Sequence, residues 1–258
     1  MRRAERREPP PNVGDLDLLL ELGVETERSG WDGFFVWDRM GFVVGVPTTV
    51  FDPWVLLAAL AERTERIRLA TMVTPVARRR PWKLARETVT LDRLSRGRLT
   101  LGVGLGYPPD ADFELLERLW SGEPVDFEGS HFRIRDTRFL PTSVQRPRIP
   151  VWVGGMWPNR APFRRAARWD GVYPIKVTAD GEPYLHSAEE FAEAFAYTSE
   201  LRSSTRSFDA VASGASDGDH AVVAPFEEAG ATWWLESDEG TTGWEARLLE
   251  QVRAGPPR

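Results

Sequence analysis

Two rhythms of apolar residues alternate along this chain. Leu16, Leu19, Leu20 and Val24 recur at helical spacing within 16–29, and Gly30 ends the run. The next segment, GFFVW at 33–37, is apolar at every position, which suits a strand buried on both faces. The pair of rhythms then returns. Asp52 followed by Pro53 is an N-cap with a proline in the first helical position, opening a helix over 53–66. IRLATMV (67–73) reads as a strand, 81–95 as an amphipathic helix begun by Pro81, and 98–106 as a strand running into a glycine-rich loop.

The alternation resumes with strands at 149–155, 171–177, 208–214 and 231–237. Helices are expected at 159–169, 187–203, about 219–229 and 243–253. Short buried strands separated by amphipathic helices are the pattern of an α/β protein with a parallel sheet and helical crossovers. Seven strands and seven or eight helices suit a barrel better than an open sheet, although a count does not decide between them. The segment 121–148 leaves the rhythm: VDFEGSHFRI predicts a hairpin turning at Glu128–Gly129.

Two stretches fall short of a complete barrel. Residues 1–15 are charged and proline-rich, so a first strand is not expected there, and they are set apart as a non-conforming amino-terminal segment. Residues 16–258 then form one domain. Between Gly106 and Trp120 there is room only for a loop and about two helical turns, so the fourth helix region is expected to be incomplete.

Composition narrows the chemistry. The chain has 258 residues, 41% of them hydrophobic, enough for a large core. A net charge of -6 without a basic stripe argues against nucleic acid. The absence of cysteine removes disulfides, thiolate metal sites and thiol nucleophiles. His131, His186 and His220 lack ligand spacing, so no metal is expected. No GxSxG elbow occurs, which argues against an α/β-hydrolase. With no apolar leader in the first fifteen residues and no eighteen-residue apolar run, a cytoplasmic protein without a membrane span is expected.

Several stretches together resemble the luciferase-like monooxygenase superfamily of flavin- and deazaflavin-dependent enzymes. They are SGWDGFFVWDR (29–39), LATMVTPVARRRPWKLARETVTLDRLSRGRLTLGVGLG (69–106), LWSGEPVDFEGSHF (119–132) and RRAARWDGVYP (164–174), with ATWWLES (231–237) and AGPPR at the end. The resemblance implies a (β/α)₈ TIM barrel of the bacterial-luciferase type with an excursion in its second half. It also implies FMN or coenzyme F420 at the carboxyl-terminal mouth of the strands, a small organic substrate, and a homodimer. A flavin reductase would be the partner that supplies reduced cofactor.

The same resemblance selects site residues. Asp38 and Arg39 stand where relatives often carry Asp-His, and they are the catalytic candidates. Arg39 stays protonated and serves no general base, but it suits an anion. Met72, Val73 and Thr74 fall where relatives form a bulge behind the ring, with a non-proline cis peptide placed at Met72–Val73. Gly104 and Gly106 are expected to let a flat ring approach. Gly154, Gly155 and Met156 end a strand before a helix, where backbone N–H groups suit a cofactor phosphate. Tyr107 replaces the carboxylate of some deazaflavin dehydrogenases, which argues against sugar-phosphate chemistry. Trp37 and Trp152 are candidates for the substrate pocket. The function implied is an oxidoreductase, either a monooxygenase or a hydride-transfer enzyme. The rival reading is a degenerate, non-catalytic flavin-binding barrel, supported by the missing strand, the short fourth helix region and Arg39.

Overall fold

The computed structural model describes residues 1–7, 16–38, 42–43, 46–47, 51–104, 113–129, 132–177, 183–184, 186–237 and 244–257. Eight parallel strands run in a closed ring. In chain order they are β1 (Arg2–Arg7), β2 (Gly33–Val36), β3 (Arg68–Pro75), β4 (Leu99–Gly104), β5 (Val151–Met156), β6 (Gly171–Val177), β7 (Asp209–Gly214) and β8 (Trp233–Glu236). Each pairs with the next, and β8 pairs with β1, so the main sheet has no open edge. One helix follows each strand: α1 (Leu16–Arg28), α2 (Pro53–Arg63), α3 (Pro81–Leu94), α4 (Phe113–Trp120), α5 (Arg160–Ala166), α6 (Ala188–Glu200), α7 (His220–Glu228) and α8 (Trp244–Ala254). This is a (β/α)₈ barrel.

The first strand, expected to be missing, is present. Arg2–Arg7 pairs with β8 from Arg2↔Trp233 to Glu5↔Glu236, and with β2 from Ala4↔Gly33 to Arg7↔Val36. RRAERR has no β-branched residue, so local propensity points away from a strand. Closure of the ring overrides it, because the inner edges of β2 and β8 find backbone partners only in that slot. The fourth helix has about the two turns that the spacing allowed. α4 is short, eight residues, yet it buries Leu115, Leu116, Leu119 and Trp120, and the Trp120 Nε1 donates to Thr88 Oγ1 at 3.0 Å.

The predicted hairpin pairs Pro124–Glu128 with Arg133–Arg138, its first strand ending at Glu128. Asp92 on α3 is fully buried and secures the return of this excursion. It accepts from the backbone N–H groups of Val144 (2.6 Å) and Gln145 (3.2 Å) and from Gln145 Nε2 (2.7 Å).

The amino-terminal ends of the strands are held by two charged side chains. Glu27 accepts the backbone N–H groups of Glu65, Arg66 and Ile67. Burial alone would push its pKa up, but those three donors, with the nearby Arg66 charge, outweigh it and hold the carboxyl below its ordinary range. Arg98 donates to the carbonyls of Ala61, Thr64, Ile67 and Ser95.

Inside the ring, the amino-terminal half is filled by aromatic side chains. Phe35, Trp152 and Trp233 pack with centroids 5.3–5.6 Å apart. Both indoles donate to Asp209, Trp152 to Oδ2 at 3.1 Å and Trp233 to Oδ1 at 3.2 Å. Gly171 leaves the room: a Cβ there would lie 2.4 Å from Trp152 Cδ1. No helix among the described residues is long and apolar enough to cross a membrane.

Candidate active site at the barrel mouth

At the carboxyl-terminal half of the bore, three inward-facing side chains, Val73, Ile175 and Ser213, are only half-buried. β3 is irregular here. Its pairing with β4 shifts between Thr71 and Thr74, and the Met72–Val73 peptide is cis, at the position expected. Gly102 on β4 permits this approach, because a Cβ there would lie 2.0 Å from the Thr71 carbonyl oxygen, a backbone atom with little freedom to yield.

The bulge delivers the Val73 side chain into the bore. A Cβ on Gly104 would lie 2.5 Å from Val73 Cγ2, and one on Gly154 would lie 3.0 Å from Val73 Cγ1. The two glycines therefore clear space for Val73, which takes the room that Gly104 was expected to leave for a flat ring. It is half-buried beside Ile175 of β6, which is also half-buried. Met72 lies deeper, 1% exposed within the interior cluster. Thr74 is fully buried and spends its hydroxyl on Thr71 Oγ1 at 2.9 Å.

Gly154 and Gly155 serve different faces of β5. Gly154 meets Val73, Ile175 and Tyr173 inside the barrel, whereas a Cβ on Gly155 would lie 2.2 Å from Pro162 Cβ of α5 outside it. The strand continues through Met156, in register with Ile175, so the expected turn at 154–156 comes later. It is built from Trp157 and Pro158, and Asn159 caps α5 by accepting from the Ala161 N–H. Met156 is 49% exposed at the rim.

Asp38 follows β2 and is largely enclosed. Both its oxygens accept from Arg79, Nε to Oδ2 at 2.7 Å and Nη2 to Oδ1 at 2.6 Å. Arg79 lies after β3, and its Nη1 is 3.7 Å from Glu87 Oε2 of α3. Its guanidinium also sits 5.8 Å over the Trp54 ring of α2. Burial opposes the charge of Arg79, but Asp38, Glu87 and Asp52 outweigh it and hold the guanidinium more firmly protonated. Asp38 is thus a paired carboxylate joining two mouth loops. Arg39, Gly106 and Tyr107 lie outside the described residues.

Among the described side chains, one polar pair faces the bore at this level. Tyr173 of β6 and Ser213 of β7 are 3.0 Å apart, hydroxyl to hydroxyl. Tyr173 is 1% exposed, while Ser213 is half-buried. Neither Arg79 nor this pair was marked by motif. Counting alternate positions from Trp152 and Trp233 through the registered strands would have turned Tyr173 and Ser213 inward. The same count corrects Trp152, which belongs to the aromatic plug, 1% exposed, and not to a substrate pocket.

Elsewhere, a cleft of about 580 Å³ runs along α8 past Glu236 and Arg247. The Glu236 carboxylate there is already engaged by Ser216, Trp234 and Gln251, so it is a structural acceptor. His186 is buried beside Glu190, 3.7 Å from its Oε2. Burial pushes this imidazole below its ordinary value.

The luciferase-like monooxygenase family model matches residues 2–248. An F420-dependent glucose-6-phosphate dehydrogenase of Microbacterium testaceum is 31% identical over 188 residues, covering 64% of this chain. The chain spans 54% of that curated relative's length. Among solved structures, the monooxygenase RslO1 from Streptomyces bottropensis superposes with a TM-score of 0.75 at 20% identity, covering 98% of this chain and 97% of that one. A coenzyme F420 dependent tetrahydromethanopterin reductase from Methanopyrus kandleri gives 0.74 at 14% identity, covering 99% and 98%. The two structures bear on the fold alone, whereas the family model spans nearly the whole sequence. The chain belongs to the luciferase-like monooxygenase family.

Proposed function

We propose that this protein is an oxidoreductase that binds FMN or coenzyme F420 at the barrel mouth and acts there on a small organic molecule. The observation that carries the reading is the floor of the mouth. Val73 and Ile175 form a half-buried apolar surface at the carboxyl-terminal ends of the strands, where barrel enzymes hold their sites. Such a surface fits one face of a planar conjugated ring. The bound cofactor supplies the two-electron chemistry, hydride transfer with F420 or oxygen activation with FMN, which none of the side chains provides. The relative at 31% identity supports F420 as the first choice.

The chain's own residues have distinct parts in this reading. Val73, Ile175 and Met156 support the ring and shield it from water. Gly104 and Gly154 admit Val73, and Gly102 admits the bulge. Asp38, fixed by Arg79, positions the loop after β2 and does not move a proton. The closed ring removes the main support for a degenerate barrel, since all eight strands are in place. A homodimer, and for FMN a separate flavin reductase, belong to the same reading. Titration of the purified chain with F420 and with FMN, followed by fluorescence, tests it. Saturable binding of at least one at micromolar concentration is expected, and binding of neither overturns it.

A further inference from the structure

We infer that Ser213, oriented by Tyr173, is the hydroxyl at the mouth that hydrogen-bonds an oxygen of the bound molecule, a carbonyl or alcohol oxygen. The inference rests on the proposed site at the barrel mouth and gives it a chemical preference. Its ground is a contrast of polarity within the bore. The inward side chains of the interior cluster at this height, Val73, Ile175 and Leu235, offer no hydrogen bond. Ser213 is in register with Leu235 and faces the same space, partly open to it.

The hydroxyl count sets what the pair can offer. Tyr173 and Ser213 each carry one O–H donor and lone pairs to accept. One O–H is used in the 3.0 Å bond between them. If Tyr173 donates, the Ser213 O–H is released to point elsewhere, and Ser213 is the more exposed of the two. The phenol ring is immobilised among interior side chains, 1% exposed, and its position beside Gly154 is set by the strand register. Tyr173 thus acts as a positioning residue that fixes the serine rotamer, and Ser213 is the binding residue. A donor held this way in a largely apolar pocket distinguishes a ligand bearing oxygen from its hydrocarbon counterpart, because a dry polar group left unmatched is costly.

Two molecules could bring that oxygen: a ring carbonyl of the cofactor, or a ketone or alcohol substrate. The experiment separates them. Affinities for F420 and FMN are measured by fluorescence for the wild type, S213A, S213T and Y173F, each checked for folding by its melting temperature. The complex with the tighter cofactor is then titrated with cyclohexanone, cyclohexanol and cyclohexane, using the cofactor's spectral shift. If the partner is the cofactor, S213A weakens its binding about 3- to 10-fold, S213T restores it, and Y173F falls between. If the partner is the substrate, S213A leaves cofactor affinity within twofold and weakens cyclohexanone or cyclohexanol by a similar factor, with no effect on cyclohexane. The inference is overturned if folded S213A binds the cofactor as the wild type does and either responds to the oxygenated probes as the wild type does or the wild type itself responds to none of them. A wild type that binds neither cofactor ends the parent reading as well, a result distinct from an indifferent S213A.

Discussion

The two halves of the barrel bore are built from the same kind of strand, yet they treat volume in opposite ways. At the amino-terminal half, Gly171 gives up its side chain to Trp152, and three aromatic rings with Asp209 close the passage. At the carboxyl-terminal half, Gly104 and Gly154 give up theirs to Val73, a much smaller group, and the space above stays partly open. Glycine in a barrel strand is therefore not by itself a mark of a ligand site. What matters is the size of the side chain that moves into the vacated room.

Damage to the two halves should therefore separate stability from binding. The largest effect is expected from W233A, which removes one ring of the plug and one indole donor to Asp209. It should cost about 3–5 kcal/mol, lowering the melting temperature by about 10 °C or more, while cofactor affinity of the protein that remains folded changes less than twofold. Equal losses of stability and affinity in a thermal-shift and fluorescence pair would erase the distinction. Next comes G102A, at the junction of the halves. Its Cβ would press on the Thr71 carbonyl, so it should cost about 1–3 kcal/mol and also weaken cofactor binding, because the bulge carrying Val73 must shift. Intact affinity in G102A would show that the bulge is not part of the site.

The smallest effect sharpens the comparison from outside the bore. E27Q removes a charged acceptor from three backbone N–H groups at the amino-terminal face, at about 1 kcal/mol, with no loss of cofactor affinity. Glu27 has a lowered folded value, so its contribution is fully present above the ordinary carboxylate value of 4.5 and fades as the pH falls through the lowered one. Melting curves of wild type and E27Q should differ most near neutrality and converge in acid.

Helices and apolar strands were legible because their signals are local. Asp52–Pro53 marks its helix start, and the Asp52 carboxylate does accept from Trp54 and Val55. The hairpin after Glu128 and the two turns of α4 likewise followed from turn residues and spacing. β1 was not legible, since RRAERR becomes a strand only through the edges of β2 and β8 on either side. Site residues divided along the same line. The bulge at Met72–Val73 was found by resemblance, but the neighbours of Val73, Gly104, Gly154 and Ile175, lie on three other strands. Arg79 stood in view within an arginine run, yet its carboxylate is 41 positions away. Gly155, next to Gly154 in sequence, serves helix packing because adjacent strand residues face opposite sides.

The bidentate bond between Asp38 and Arg79 couples the segment after β2 to the segment after β3. A substitution in either segment is therefore felt by the other, and these two parts of the rim would accept change as one hinged plate, not as separate fingers. Adaptation of this entrance to a new guest would proceed by paired replacements across that joint, or else through the remaining loops that it leaves independent.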